Sequence, residues 1–479
     1  MRIARLTAVA GLAAAAAALG ARAYEVNAWP AAVLEEDDSG RVLSWSGAGP
    51  LLFSDPAPRP DAGTFSGLRP FLVEMDSGGV ERTDILYPLF YHRRYKDATQ
   101  WSFFQLVNGL EPNPAAAPAQ ASPERQLDVW PFYFSFEGPD PSDTYHALLP
   151  VYGTVKRRMG FESISWTAFP LYVRAERKGT ETTYVLFPFV RSKQGQEHGF
   201  GVWPLFGVTD GPGVAHHSFL LWPLFWDNTV LPKPDAPEGS QPTEQLGILP
   251  FYTRERSAGH LSENFLWPFF GHTEETAPAR YSETRYFWPC LVQGRGEARL
   301  VERWGPFYTH SESLGVASTW VMWPLWHRTQ WADGDIAVEK TQFFYFLYSS
   351  LDQASESRPG LQPAYKRHIW PILSVWDNGA GSRQVQFPSP LEVFFPDNPD
   401  MRATWSPLFS VYRYERRPDG EARSSLLWNA VTWRSGASGS LEEFHLGPLL
   451  GMQRGAGGPR WSLLGFDFGA KRGIVENRK

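Results

Sequence analysis

The chain has 479 residues, and 45 Lys and Arg against 51 Asp and Glu leave a formal net charge of −6 with both signs interspersed. That balance offers no basic face and argues against nucleic acid as a partner. A single cysteine, Cys290, excludes an internal disulfide scaffold, while 15% aromatic residues, 21 of them Trp, demand an explanation in the fold.

The chain opens with Arg2 and Arg5, then an alanine-rich apolar run from Leu6 to Gly20, then Ala21-Arg22-Ala23. This is the pattern of an export signal, and it predicts a mature chain beginning at Tyr24. No cysteine follows the run, so no lipid anchor is expected at this site. No later segment approaches the roughly 20 uninterrupted apolar residues of a spanning helix. A membrane could therefore be entered only as strands. The expected location is the outer membrane with its lipid as partner, the alternative being the periplasm or cell surface.

From residue 24 onward one motif recurs: an apolar or aromatic residue, a proline and two more apolar residues. It stands at Arg69-Pro70-Phe71-Leu72, Trp130-Pro131-Phe132-Tyr133, Phe169-Pro170-Leu171-Tyr172, Trp222-Pro223-Leu224-Phe225, Trp267-Pro268-Phe269-Phe270 and Trp323-Pro324-Leu325-Trp326, among others. Where the prolines are consecutive, the steps are mostly 16 to 21 residues. A fixed period of this kind signals an array of one small unit. Each unit holds a short apolar run and a Gly-rich or polar turn, which reads as a strand and its connection; a helix carrying a proline at its centre would be broken. Sorted by parity about the proline, Trp267 and Phe269, or Trp130 and Phe132, fall on a face expected to be buried. Tyr172 and Arg174, or Tyr252 and Arg254, fall on a face that turns polar.

Longer loops are expected around Glu111–Pro123, Leu231–Gln245, Ser355–Pro363 and Asp397–Arg402. Asp210-Gly211, Asp333-Gly334, Asn378-Gly379 and Asp419-Gly420 carry hairpin chemistry. The sum is an all-β chain: one continuous domain over 24–479, built as a repetitive antiparallel meander of roughly 20 to 22 strands, each unit about 19 residues and centred on Trp-Pro-Leu-Phe. Closure as a large up-and-down β-barrel is the expected architecture, and a soluble repetitive sheet array is the alternative. The mid-strand prolines stand against the barrel, because a strand paired on both sides loses a ladder bond at each of them.

Chemistry is sparse. No Gly-x-Ser-x-Gly elbow, His-Glu-x-x-His or phosphate loop occurs. His216-His217 would point to opposite faces of a strand and so could not both ligate one metal. Cys290 occupies a repeat position that elsewhere holds Leu or Phe. No enzyme, cofactor or metal is expected. The candidate ligand- or lumen-facing residues are Tyr172, Arg174, Tyr252, Arg254 and Tyr308, whose rings and guanidinium groups suit glycan or protein partners. The function expected from sequence is that of an exported, non-enzymatic outer-membrane barrel with a structural, passive-pore or surface-assembly role. The alternative is a soluble glycan- or protein-binding β protein.

Overall fold

The structure, a computed structural model, describes residues 24–468 apart from 37–40, 57–62, 117–123, 213, 233–240, 396–397, 456–457 and 465. The export signal and its cleavage site lie outside the described residues, as do parts of three of the expected loops. Among the described residues are forty-four strands and one α-helix, so the chain is all-β, as the repeat predicts. The residues group into two compact units: a first of residues 1–105, 113–120 and 332–479, and a second of 106–112 and 121–331. Within each unit the ladders described join chain neighbours, and all are antiparallel.

The strand count is about twice that expected, and the reason is the proline. Each unit of the repeat is a pair of strands, not one, because the apolar run folds over its proline into a turn. In Leu221-Trp222-Pro223-Leu224, the Leu224 amide donates to the Leu221 carbonyl at 2.8 Å; in Leu186-Phe187-Pro188-Phe189, the Phe189 amide donates to the Leu186 carbonyl at 2.8 Å. The proline, third in the turn and preceded by a cis peptide bond, sits where no ladder bond is asked of it. The prolines that stood against the barrel as mid-strand residues are thus turn residues. The first residue of the turn often has a left-handed backbone, φ 51 at Leu186, 47 at Leu221, 48 at Leu266 and 50 at Met322. That conformation costs a side-chain-bearing residue about 1–2 kcal/mol, and here the turn bond and a second bond to the neighbouring turn oppose the cost.

The opposite ends of the strands are closed by tight polar turns. Lys178-Gly179 (φ 49 and 67) and Leu314-Gly315 (φ 49 and 77) both carry the paired positive φ of a two-residue hairpin. Gly334, Gly379 and Gly420, at turns recognised in the sequence, also have positive φ. In the second unit every proline turn therefore lies along one edge of the sheet and every polar turn along the other.

The expectation of a buried apolar face holds three residues beyond the proline, where Phe134 and Val173 are buried, and fails at the turn itself. Trp130 and Phe132 are 53% and 58% exposed, and Trp267 and Phe269 are 47% and 42% exposed. They are turn residues, and the strands between the turns are short, mostly five or six residues. Burial in the second unit includes a small cluster, Phe134, Tyr145, Ala147, Val155, Trp166 and Val173, isolated residues such as Val292, Thr209 and Glu283, and large side chains laid over glycines of the next strand. A methyl group added at Gly247 would overlap the Trp226 indole, one at Gly207 the Phe219 ring, and one at Gly294 the Tyr281 ring. Rings packed over glycine in this way hold a sheet bent toward that face.

The first unit has a different interior. The helix Pro399–Phe409 stands where the sequence suggested a loop at Asp397–Arg402 and a strand around Pro407. Its start was readable: Asn398 caps it, with the Asn398 Oδ1 accepting from the Met401 amide at 3.0 Å, and Pro399 and Asp400 occupy the first turn. Pro407 cannot donate to the carbonyl four residues back, and that carbonyl, of Ala403, accepts instead from Arg69 Nε at 3.1 Å. Ala403 packs on the buried cluster Phe53, Phe65, Val73 and Met75.

Candidate membrane interface

In the second unit, the residue that follows or precedes each proline turn can be traced across the ladders. From Tyr172 the pairings run through Val185, Val190, Val202, Phe206 and Leu220 to Phe225, Ile248, Tyr252 and Phe265. They continue through Phe270, Tyr286, Leu291, Trp304 and Tyr308 to Val321 and Trp326. All seventeen positions are apolar or aromatic, and most are exposed, Leu220 at 55% and Tyr286 at 52%. At the ~4.8 Å spacing of neighbouring strands this row is about 80 Å long. Beside it runs the row of turns themselves, with Trp222, Trp267, Trp288 and Trp323 all exposed.

The turns are bonded to one another. Between Ala168 and Leu325 nine proline turns form an unbroken series. It includes the Leu186 amide donating to the Leu171 carbonyl at 2.8 Å, Trp203 to Phe189 at 2.7 Å, Leu221 to Leu205 at 2.6 Å, Leu266 to Phe251 at 2.8 Å and Met322 to Phe307 at 2.7 Å. Each of these bonds satisfies one amide and one carbonyl of the turns in an apolar band where water would otherwise be needed.

Two residues further along each strand on the same face, the chemistry changes. Arg174, Arg254 and Arg328 stand there with Asp227, Glu263 and Glu302, equal in number. Two residues beyond these, Arg256 and Arg295 stand with Glu176, Glu181, Asp210, Glu244, Glu274 and Glu312. Charge on this face thus begins in the second row, where it is balanced, and is mostly acidic in the third, while Phe200, Val208 and Leu246 keep the second row apolar on three strands and Leu261, Leu300 and Ala317 the third row on three others.

The ladders place all five sequence-predicted residues on this one face. Tyr172, Tyr252 and Tyr308 lie in the first row, and Arg174 and Arg254 in the second. They are not brought together: Tyr172 and Tyr308 are fourteen strands apart. Two of them are engaged locally. Arg174 pairs with Glu181 in the open, and the Tyr252 hydroxyl donates to Glu263 Oε1 at 2.6 Å. The second-row histidines are held in the same manner, His272 Nε2 to Glu274 Oε1 at 2.9 Å and His310 Nδ1 to Thr319 Oγ1 at 2.9 Å. His216 and His217 pair with Thr229 and Asn228 in consecutive ladder positions, and His216 Nδ1 lies 2.8 Å from Asp210 Oδ1. Cys290 closes its turn as the fourth residue and is half-buried.

Sequence reasoning missed two buried polar clusters of the first unit. In one, the strand Tyr24–Ala28 meets the C-terminal strands. Glu25 takes Arg423 at 3.0 Å and accepts from Asn27 Nδ2 at 3.0 Å, and its amide donates to Glu443 Oε1 at 2.9 Å. Arg434 bridges Glu35 and Glu443 at 3.3 and 3.5 Å. Burial alone would raise the Glu35 carboxyl, but Arg423 and Arg434 outweigh it and hold the group below its ordinary value. The second cluster is a chain: His368 Nδ1 to Ser374 Oγ at 2.7 Å, Ser374 Oγ to Ser389 Oγ at 2.5 Å, then Ser389 Oγ donating to Glu392, whose other oxygen accepts from Gln386 Nε2 at 2.9 Å. Burial pulls the His368 imidazole down to about 4. These are the residue types of a hydrolytic triad in the wrong order. The carboxylate meets a serine and not the imidazole, and Ser374 is wholly inaccessible, so no acyl acceptor could reach it. The chain is a way of satisfying buried polar groups.

No helix among the described residues is long and apolar enough to cross a membrane. No protein-family model matches the chain, and no curated protein matches it.

Proposed function

We propose that the protein is an exported, non-enzymatic structural protein that is seated on a membrane by its row of proline turns. One observation carries this: a continuous apolar edge over seventeen strands, most of its residues exposed, whose proline turns are bonded to one another and which carries Trp and Tyr among its Phe, Val and Leu. Exposed apolar patches of this extent mark interaction surfaces, and Trp and Tyr concentrate where a membrane meets water. The strands themselves favour seating over spanning. A spanning strand needs about 9–11 residues and an apolar band about 25 Å tall, whereas most of these strands turn polar at the second row, and all but Phe200, Val208 and Leu246 are polar there. The outer membrane remains the compartment that the apparent export signal and all-β build favour.

The experiment is flotation of the mature chain with lipid vesicles, beside a variant carrying Trp203→Ser, Trp222→Ser, Trp267→Ser and Trp288→Ser. The parent chain is expected to float and the variant to stay behind, with the two sharing one circular-dichroism spectrum. A parent chain that stays at the bottom of the gradient overturns the proposal.

A further inference from the structure

We infer, resting on the membrane-seated reading above, that one hairpin of the second unit is its anchor in the acyl layer: the strands His198–Val202 and Phe206–Gly211 with the turn Trp203-Pro204-Leu205 between them. The hairpin is set apart by where its charges begin. Its arms run Val202, Gly201, Phe200, Gly199 and Phe206, Gly207, Val208, Thr209, and the first charges met are Glu197 on one arm and Asp210 on the other. Among the nine bonded proline turns from Ala168 to Leu325, this one alone has no charged residue within four strand positions on either arm. Every other turn of the series meets a charge by the third position, and those beside Arg191, Arg285 and Arg303 meet it by the second.

Both faces of the hairpin are free of charge, not only the outer one. Outside, Phe200 and Val208 stand opposite each other in the ladder, 49% and 42% exposed, where every other strand of the row but that of Leu246 places a polar group. Inside, Gly199, Gly201 and Gly207 present no side chain, and the Phe219 ring of the next strand lies against Gly207. Trp203 and Leu205 at the tip are exposed. A folded partner covers one face of a strand; an element apolar at its tip and uncharged on both faces suits a medium that surrounds it, which is lipid. The ladders on both sides of the hairpin already pair its backbone, so its strands need no water there.

The neighbouring charges are held back from the edge. Arg191, on the adjoining strand Val190–Gly195, is second from its turn, yet its Nη2 donates to Thr209 Oγ1 at 3.3 Å, level with the fourth position, and Lys193 pairs with Glu197 at 2.6 Å. The strand on the other side, Val214–Leu220, carries no Lys, Arg, Asp or Glu. Four residues at ~3.4 Å each put the first charge of the hairpin about 14 Å from its turn, close to half of a ~30 Å hydrocarbon core.

The test floats the full mature chain on phosphatidylcholine vesicles in which some lipids carry a photoactivated diazirine midway along an acyl chain, and maps the adducts by mass spectrometry. Adducts are expected to be at least about fivefold denser on residues 199–209 than on any other turn of the series, since charge is excluded from that depth. Phe200→Asp together with Val208→Asp is expected to lower flotation about tenfold, with the circular-dichroism spectrum unchanged; where that spectrum changes, the adduct map alone decides. Adducts spread evenly over the nine turns, or undiminished flotation of a folded double variant, overturn the single-hairpin anchor and leave membrane seating intact. A parent chain that floats on no vesicle overturns the parent reading together with this one.

Discussion

The two units are made from the same strand-and-turn repeat and keep their shape by different means. The first surrounds a helix and a buried ionic cluster: Arg69 is stacked 3.3 Å over Phe53 and bonded to Ala403, and Arg82 is paired with Asp84 and Asp400 at 2.7 and 2.5 Å. The second relies on ladder bonds, bonded turns, rings laid on glycine and one small buried polar group, in which Arg285 holds Glu283 at 2.7 Å and bonds Thr273 on the preceding strand at 2.9 Å. Two hairpins of one pattern can therefore be stabilised through what they enclose or through how each leans on the next. The second solution leaves an edge free to be used.

That contrast can be broken most forcefully in the first unit. Arg423→Met would leave Glu25 and Glu35 buried with part of their compensation gone, an expected loss of about 3–5 kcal/mol. In urea the unfolding curve should split into an early transition and a later one, while vesicle flotation by the second unit persists. A single, unshifted transition would show that the ionic cluster does not hold the first unit.

Acid should pick out the same unit more gently. His368 titrates at about 4 in the fold and near 6.5 unfolded, so between those values the unfolded chain binds the extra proton. Stability is complete above about pH 6.5 and declines as pH falls toward 4, by up to about 3 kcal/mol. His368→Asn keeps a hydrogen-bonding group toward Ser374 and should flatten that slope. If the variant's denaturation midpoint falls with pH as steeply as the parent's, another group is responsible.

In the second unit, Gly247→Ala should cost about 1–3 kcal/mol, because the new methyl displaces the Trp226 indole. Combining it with Trp226→Leu should recover part of that loss, a non-additivity that a double-mutant cycle reads directly. Strict additivity would mean that the ring and the glycine do not lean on each other. The smallest effect on stability belongs to the exposed turns: Trp222→Ser should lie within about 0.5 kcal/mol of the parent, while its vesicle affinity falls.

Much of this organisation could be read from the residues. The period and the all-β class follow from the recurring proline, and the shared face of Tyr172, Arg174, Tyr252, Arg254 and Tyr308 from their all lying two or four residues after it, whereas parity does not carry across the turn, since Phe265 pairs with Phe270. The place of the proline itself was misjudged. A short apolar run such as Phe265-Leu266-Trp267-Pro268-Phe269-Phe270 is hydrophobic enough for a strand centre, and only its missing amide indicates that no ladder passes through it. Hydrophobicity signals removal from water, and a lipid-seated turn satisfies that as well as a core does. The ionic cluster was beyond reach because Glu25 and Glu443 are separated by 418 residues and carry no local pattern. The helix was within reach, since Asn398-Pro399-Asp400 is a start signal that the surrounding repeat obscured.

Because one repeat is a pair of strands, the chain returns to the same edge after each period. Whole repeats can be duplicated or lost and every remaining proline turn still emerges on its own side. Insertion of one strand would carry all later turns to the opposite edge. The gene can therefore lengthen this protein in even steps only, and each step adds about 10 Å of edge without asking any other residue to change.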